Sequence, residues 1–269
     1  GEGITKIGNA NFCLSGNSNA PLFGNLTEVV VPSTLTEIGF GAFQGDSNLV
    51  SFDFSNITVI GASAFAKTGL TEVTLKSDNM QLGNNTFYNC KSLTTVKMKK
   101  LALSDAIFDG CNSLSDFQFD SSELTSIPKN AFRRTAISTF NFDGIETIGN
   151  GAFQQNTKLV SVKLPAIKTI GSSAFYGSVV ENVLLGNSEV SIGSGVFNGC
   201  NSLASICYAG SREQWGNLPL SSTLAETVQV HCKADSIEPK EATCTEAGWK
   251  EVGVCEVCGE HYSYPTDEN

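Results

Sequence analysis

Histidine is almost missing from this sequence: 269 residues contain two, His231 and His261, both towards the C-terminus. A Ser-His or Cys-His pair in the rest of the chain would therefore have no imidazole base, so nucleophilic catalysis of that type is unsupported. Charge is also sparse, at 16% of residues, with 17 Lys plus Arg against 27 Asp plus Glu. The resulting net charge of −10 argues against nucleic acid or an anionic membrane as partner. No apolar run approaches the roughly 18 residues of a membrane-spanning helix. No glycine-rich stretch ends in the Lys-Ser/Thr pair of a phosphate-binding loop. The chain begins at Gly1, which reads as a processed product or a fragment and leaves a signal peptide undetermined.

What the chain has in quantity is phenylalanine, glycine and a repeat. Thr147-Ile148-Gly149-Asn150-Gly151-Ala152-Phe153, followed by Leu159, Val162 and Leu164, reads T-I-G-x-x-A-F and then L-x-x-V-x-L. The anchor phenylalanines fall at Phe12, Phe43, Phe65, Phe87, Phe108, Phe132, Phe153, Phe175 and Phe197. After one gap of 31 residues, the steps are 22, 22, 21, 24, 21, 22 and 22. Such a period predicts a solenoid. Val162 and Leu164 share one face of an extended segment while Ser161 and Lys163 point away, so each repeat carries one strand. These strands run from Leu26/Val29/Val31 to Leu203/Ile206/Tyr208. The Gly after Ile suits a positive φ, and the Ala before Phe lets the turn sit close. The turn itself is too short for a regular helix and predicts a single helical or 3₁₀ turn. One repeat cannot offset its ordering entropy, so every Phe must pack on its equivalents above and below.

The pattern T-x-I-G-x-x-A-F-x-x-C-x-x-L-x-x-V-x-L, as at Ile60-Gly61, Ala64-Phe65 and Leu70, Val73, Leu75, resembles the BspA-type (Treponema-type) leucine-rich repeats of bacterial surface proteins. The likeness covers residues 1 to 208. Leu103-Ser104 and Ile127-Pro128 replace the Ile-Gly pair, and the Phe12 repeat lacks the adjacent Ala. It implies an α/β-type but predominantly β right-handed solenoid, with a parallel sheet on the concave face and short turns or 3₁₀ segments on the convex face. It also implies a secreted or cell-surface bacterial protein that adheres to host extracellular proteins, bacterial surface proteins or glycans. A monomer is expected. The alternative is a spacer or accessory module of a larger surface enzyme.

Four regions follow: an N-terminal edge repeat and capping insert (1–25), the repeats (26–208), a cap (209–232), and a linker with a small Cys-containing module (233–269). The segment from Tyr208 to Trp215 is similar to the Y-A-G-x-x-x-x-W closure of many such arrays. Ser211 would cap a helical turn. Trp215 would fold over the last rung or serve as a ligand platform, and residues 228–232 would add a strand. Cys90, Cys111 and Cys200 each follow an anchor Phe by three residues, where other repeats hold Asp46, Thr68, Thr135, Asn156 and Ser178. That position reads as a small turn-ending side chain with free, buried thiols, the alternative being a Cys90–Cys111 bridge.

The tail offers Cys244, Cys255 and Cys258, with His261, His231 or Cys232 as a fourth ligand for zinc. A disulfide and free thiols compete with that reading. The candidate binding face lies between the strand anchors: a basic band of Lys76, Lys97 and Lys99, flanked by Asp116, Asp120, Asn141 and Asp143. The simpler account of these residues is solvation, and a weak calcium site is a third. No catalytic residue is assigned.

Overall fold

The computed structural model describes residues 3–9, 26–98, 103–119, 124–220 and 222–232, together with the backbone of 248–254 and 261–266. The chain is a predominantly β, parallel solenoid, whose turns meet along three main-chain ladders, two of them interrupted part-way.

The first ladder is the expected one. Long strands Glu72–Leu75, Thr95–Met98 and Asp116–Phe119 pair in parallel, as do Ser161–Leu164, Asn182–Leu185, Ser205–Tyr208 and Gln229–Cys232. Alternation of buried Val73, Val96 and Val162 with outward Glu72, Thr95 and Ser161 follows the period of two. The two sheets are interrupted at Phe140 and Phe142, which are packed inside without forming a strand. Residues 26–31 and 50–54, expected as strands, likewise follow the rung without strand pairing.

A second ladder was not foreseen. Two-residue strands end at the Ile of I-G: Lys6–Ile7, Glu37–Ile38, Val59–Ile60 and Gln81–Leu82, then Ser126–Ile127, Thr147–Ile148, Thr169–Ile170 and Ser191–Ile192. The glycine that follows corrects the expectation of positive φ. Gly39, Gly61, Gly83, Gly149, Gly171 and Gly193 are absent from the positive-φ residues. Instead, a Cβ on any of them would lie 2.2–2.6 Å from an atom of the preceding rung's main chain. These glycines are required by close approach. Ser104 and Pro128 replace the glycine in two rungs, and among the described residues no short strand lies between Gln81–Leu82 and Ser126–Ile127.

The third ladder is built by the Phe-bearing turns. Positive φ falls two residues before and two residues after each anchor, as at Ser63 (56°) and Lys67 (61°) around Phe65, and at Gly151 (64°) and Gln155 (56°) around Phe153. The i→i+3 bonds of the expected 3₁₀ turn are present but alternate rather than run on. Ala64, Ala66 and Thr68 N–H donate to Gly61, Ser63 and Phe65 O, whereas Ser63, Phe65 and Lys67 N–H donate to Asn84, Thr86 and Tyr88 O of the next rung. Left-handed residues at the third place of a tight turn produce this alternation. It satisfies every donor along this stretch.

Inside, Phe43, Phe65, Phe87, Phe108, Phe132, Phe153, Phe175 and Phe197 form one continuous stack. Neighbouring ring centroids are 5.1–5.8 Å apart and interplanar angles are 4–19°. Such pairs add about 0.5–1.5 kcal/mol each beyond area burial. Phe54, Phe117 and Phe140 pack edge-on against the column. A buried apolar residue just before each short strand after Lys6–Ile7 completes the rung: Leu35, Ile57, Met80, Leu124, Ile145, Ile167 and Val190.

At the C-terminal end, Ser211 caps helix α1 (Arg212–Gly216) through a capping box with Gln214. Trp215 is buried against Tyr208, with ring centroids 5.7 Å apart, so its indole face is covered by the last rung. No helix among the described residues is long and apolar enough to cross a membrane. Strands Gly248–Val254 and His261–Thr266 form an antiparallel hairpin.

Candidate functional site

The long-strand face carries the side chains that vary from rung to rung. Pairing places Glu72, Thr95 and Asp116 in one outward row and Thr74, Lys97 and Gln118 in the next. Lys97 Nζ lies 3.1 Å from Glu72 Oε1, and Thr74 Oγ1 reaches the same oxygen at 3.3 Å. The hydrogen bond from Lys97, reinforced by its charge, holds the Glu72 carboxyl below its ordinary range. Gln118 Nε2 donates to both carboxylate oxygens of Asp116, at 2.9 and 3.1 Å. The basic band is therefore interleaved with acid. Asp53 is likewise held low, first by the Ser55 hydroxyl and N–H, with Lys76 contributing.

At the C-terminal ends of these strands an open cleft of about 480 Å³ is lined by Thr74, Leu75, Lys76, Lys97, Met98, Gln118 and Phe119. The cleft joins two of the expected residues, Lys76 and Lys97. Asp116 stands beside it, holding Gln118. Asn141 and Asp143 lie on the following rung, where Asn141 Oδ1 accepts the Asp143 N–H at 3.0 Å, and neither lines the cleft. Lys99 and Asp120 fall outside the described residues. Leu75 and Met98 are core residues, as their strand-final positions imply, whereas Phe119 is only half-buried and brings an apolar side chain to the cleft that the sequence did not mark as surface.

A second polar cluster, also missed, lies on the turn face. Asp109 is buried and accepts from both Arg133 (Nε 3.0 Å, Nη2 2.6 Å, to Oδ2) and Arg134 (Nε 3.0 Å, Nη2 2.8 Å, to Oδ1) of the next rung. Two half-buried guanidinium groups on one carboxylate leave a net positive charge. The position after the anchor Phe carries Asp109 in one rung and Arg133 in the next. Aligning that column would have revealed the pair.

The position three residues after each Phe forms an internal polar column. Cys90, Cys111 and Cys200 are buried and free, and their thiols donate to the Phe65, Phe87 and Phe175 carbonyls at 3.0–3.1 Å. Burial pushes the Cys111 and Cys200 thiols up, so they are structural rather than reactive. Asp46 occupies the same position fully buried, with neither carboxyl oxygen hydrogen-bonded, and burial raises its pKa to about 6.

Among the described residues, no group of three or more His, Cys, Asp or Glu is placed to hold a metal. His231 Nδ1 lies 3.9 Å from Cys207 Sγ, its pKa lowered by burial and by Arg212, while Cys232 is buried within the core. Cys244, Cys255 and Cys258 lie outside the described residues. The backbone of His261 opens the second hairpin strand opposite Val254, and the connection between the strands carries Cys255 and Cys258.

Comparison with known proteins agrees with this geometry. The family model for the BspA type leucine rich repeat region matches residues 5–136 and 125–241, in six copies. The chain belongs to the BspA-type leucine-rich repeat family. A leucine-rich repeat protein from Bacteroides ovatus shares the fold at 22% identity and a TM-score of 0.56, over 75% of this chain and 59% of that one. Another from Eubacterium ventriosum matches at 23% identity and a TM-score of 0.53, over 78% and 59%. This BspA-type chain thus spans 59% of the length of both. No curated protein matches it.

Proposed function

We propose that this chain is a non-enzymatic bacterial protein, secreted or held at the cell surface, that binds a protein partner through its long-strand face. The observation that carries this reading is the cleft at Lys76, Lys97 and Gln118, set over Leu75, Met98 and Phe119 on a frame fixed by three ladders. Half-buried Phe119 beside two cations and an amide gives the cleft the mixed apolar and polar composition that protein partners engage. The partner is a host extracellular or a bacterial surface protein; a glycan is the competing ligand. Lys76, Lys97, Asp116, Asn141 and Asp143, with Lys99 and Asp120, are the proposed contact positions.

Screening the purified chain against matrix proteins, bacterial surface proteins and glycans tests this directly. Reversing both charges, Lys76→Glu with Lys97→Glu, should weaken the protein hit about tenfold or more, on the scale of a truncated hot spot. Unchanged affinity would remove the face from the site. In the tail, zinc at Cys244, Cys255, Cys258 and His261 is proposed on the strength of a C-x₂-C pair carried by a hairpin connection. Metal analysis and thiol counting on the purified chain decide between zinc, a disulfide and free thiols.

A further inference from the structure

Every turn in the array gives three main-chain N–H groups to the turn that follows. Ser173, Phe175 and Gly177 donate to Ser194, Val196 and Asn198 O, and the same three places donate in all the rungs before it, back to Gly41, Phe43 and Gly45. The last turn has the same shape. Gly195 (63°) and Gly199 (74°) have positive φ, and the i→i+3 bonds from Asn198 to Gly195 and from Cys200 to Phe197 are made. No further turn follows among the described residues, and the N–H groups of Gly195, Phe197 and Gly199 have no hydrogen-bond partner there. The cap covers the adjacent ladder, where Gln229–Cys232 pairs with Ser205–Tyr208, but leaves this one open.

Between that open edge and residues 223–228 lies a cleft of about 470 Å³, lined by Phe197, Gly199, Cys200, Leu203, Leu224 and Val228 among others. Its size is that of a small-ligand pocket, about 300–1,000 Å³. Its lining mixes apolar Phe197, Leu203, Leu224 and Val228 with polar Asn198, Asn201, Thr223 and Thr227; Phe197 and Gly199 bring two of the main-chain donors to it, and Gly195 continues the row along the turn. We infer that this cleft takes a short extended peptide segment of a partner protein by main-chain addition. Carbonyl oxygens on alternate residues of the peptide accept from Gly195, Phe197 and Gly199, as in strand addition to a sheet edge. The internal interfaces show the main-chain part of such an addition, the Thr86 and Val196 carbonyls accepting from Phe65 and Phe175 N–H; the Phe197 ring is already buried, so the segment is held by its main chain. A lone anion would engage one donor; a peptide main chain engages all three.

The probe is a synthetic peptide copying residues 192–199, Ile-Gly-Ser-Gly-Val-Phe-Asn-Gly, added to the isotope-labelled chain. Amide hydrogen exchange at Gly195, Phe197 and Gly199 should be fast in the free protein and slow by about tenfold at saturating peptide, while Phe175 and Gly177 stay unchanged. Ala225→Arg, at an exposed residue lining the cleft, should abolish the slowing. Thr227→Arg, at a second exposed lining position, is the independent variant if the first perturbs folding. The inference is overturned if the three amides are already as protected as Phe175. It is equally overturned if the peptide leaves their exchange unaltered, or if slowing survives the blocking arginine.

Discussion

The two faces of a rung obey different rules. On the turn face the main chain does most of the binding between rungs, with three bonds per interface, and sequence freedom shrinks to what a left-handed or closely approached backbone tolerates. On the long-strand face the pairing is ordinary parallel sheet, so any residue can occupy the outward positions. Glu72, Thr74, Lys97 and Gln118 differ between rungs for that reason. The contrast teaches where to look for function: in side chains on the strand face, and in unused main-chain donors where the turn face ends.

The sharpest way to break this contrast is at the exception, the buried charge on the turn face. Arg133→Ala with Arg134→Ala leaves the Asp109 carboxylate, 1% exposed, without its four charge-assisted bonds. Loss of about 3–5 kcal/mol in denaturant unfolding is expected, the scale for removing the partner of a buried charge. Asp109→Asn should cost less, because the stranded guanidinium groups are about a third exposed and can hydrate. Equal losses would mean that the cluster matters through packing alone.

Two glycines separate the two causes of constraint. Gly171→Ala puts a Cβ 2.5 Å from Asn150 N, a main-chain atom that cannot swing away, and should cost about 2–3 kcal/mol as overpacking. Gly177→Ala meets only Gln155 Cγ at 3.6 Å and keeps a φ of 64°, for about 1 kcal/mol. Other rungs already place Lys67, Asn89, Arg134 and Gln155 at the equivalent left-handed position. If the order of the two losses reverses, positive φ rather than close approach governs the turn.

How far these features were legible depends on whether their signal is local. The period, the Phe column and the in-out alternation of Val73 and Leu75 against Glu72 and Thr74 are written in spacings that survive without coordinates. The second ladder is not, since two residues such as Thr169–Ile170 are too short for any periodicity to show. Nor does a conserved-looking glycine say whether it is there for φ or for room; Gly171 and Gly177 look alike in sequence and differ only in the neighbouring rung. At the candidate site, Lys76 and Lys97 were found by their charge, while Phe119 beside them was hidden by its resemblance to a core residue. Asp109 with Arg133 needed a register of 24 residues, longer than the common step.

Asp46 sharpens the comparison within the interior column. Its pKa is raised to about 6 from an ordinary 3.8 because burial penalises the charged form, so folding favours the protonated acid. Stability from that proton is complete below about pH 3.8 and is lost as pH rises through 6. Asp46→Thr, which installs the hydroxyl that Thr68 and Thr135 use on their own turns, should therefore raise the melting temperature at pH 7.5. The gain corresponds to at most about 3 kcal/mol and should vanish near pH 3.5. A gain that persists in acid would assign the effect to shape.

The smallest effect on stability belongs to the strand face, and it is there that binding should respond most. Glu72 and Lys97 pair at 3.1 Å with side chains about half exposed, where solvent screening leaves such a pair little effect on stability. Lys97→Ala should thus leave the unfolding midpoint almost unmoved, so that a change in affinity reads on recognition alone. It also releases Glu72 from the hydrogen bond that holds its carboxyl low, so the Glu72 titration measured by NMR should move back up towards that of an ordinary glutamate. A partner recognised by the ammonium group itself loses affinity with Lys97→Ala and recovers part of it with Lys97→Arg. One recognised by the apolar floor is indifferent to both and is lost instead with Phe119→Ser. The two patterns distinguish charge from surface in the same cleft without relying on a change in fold.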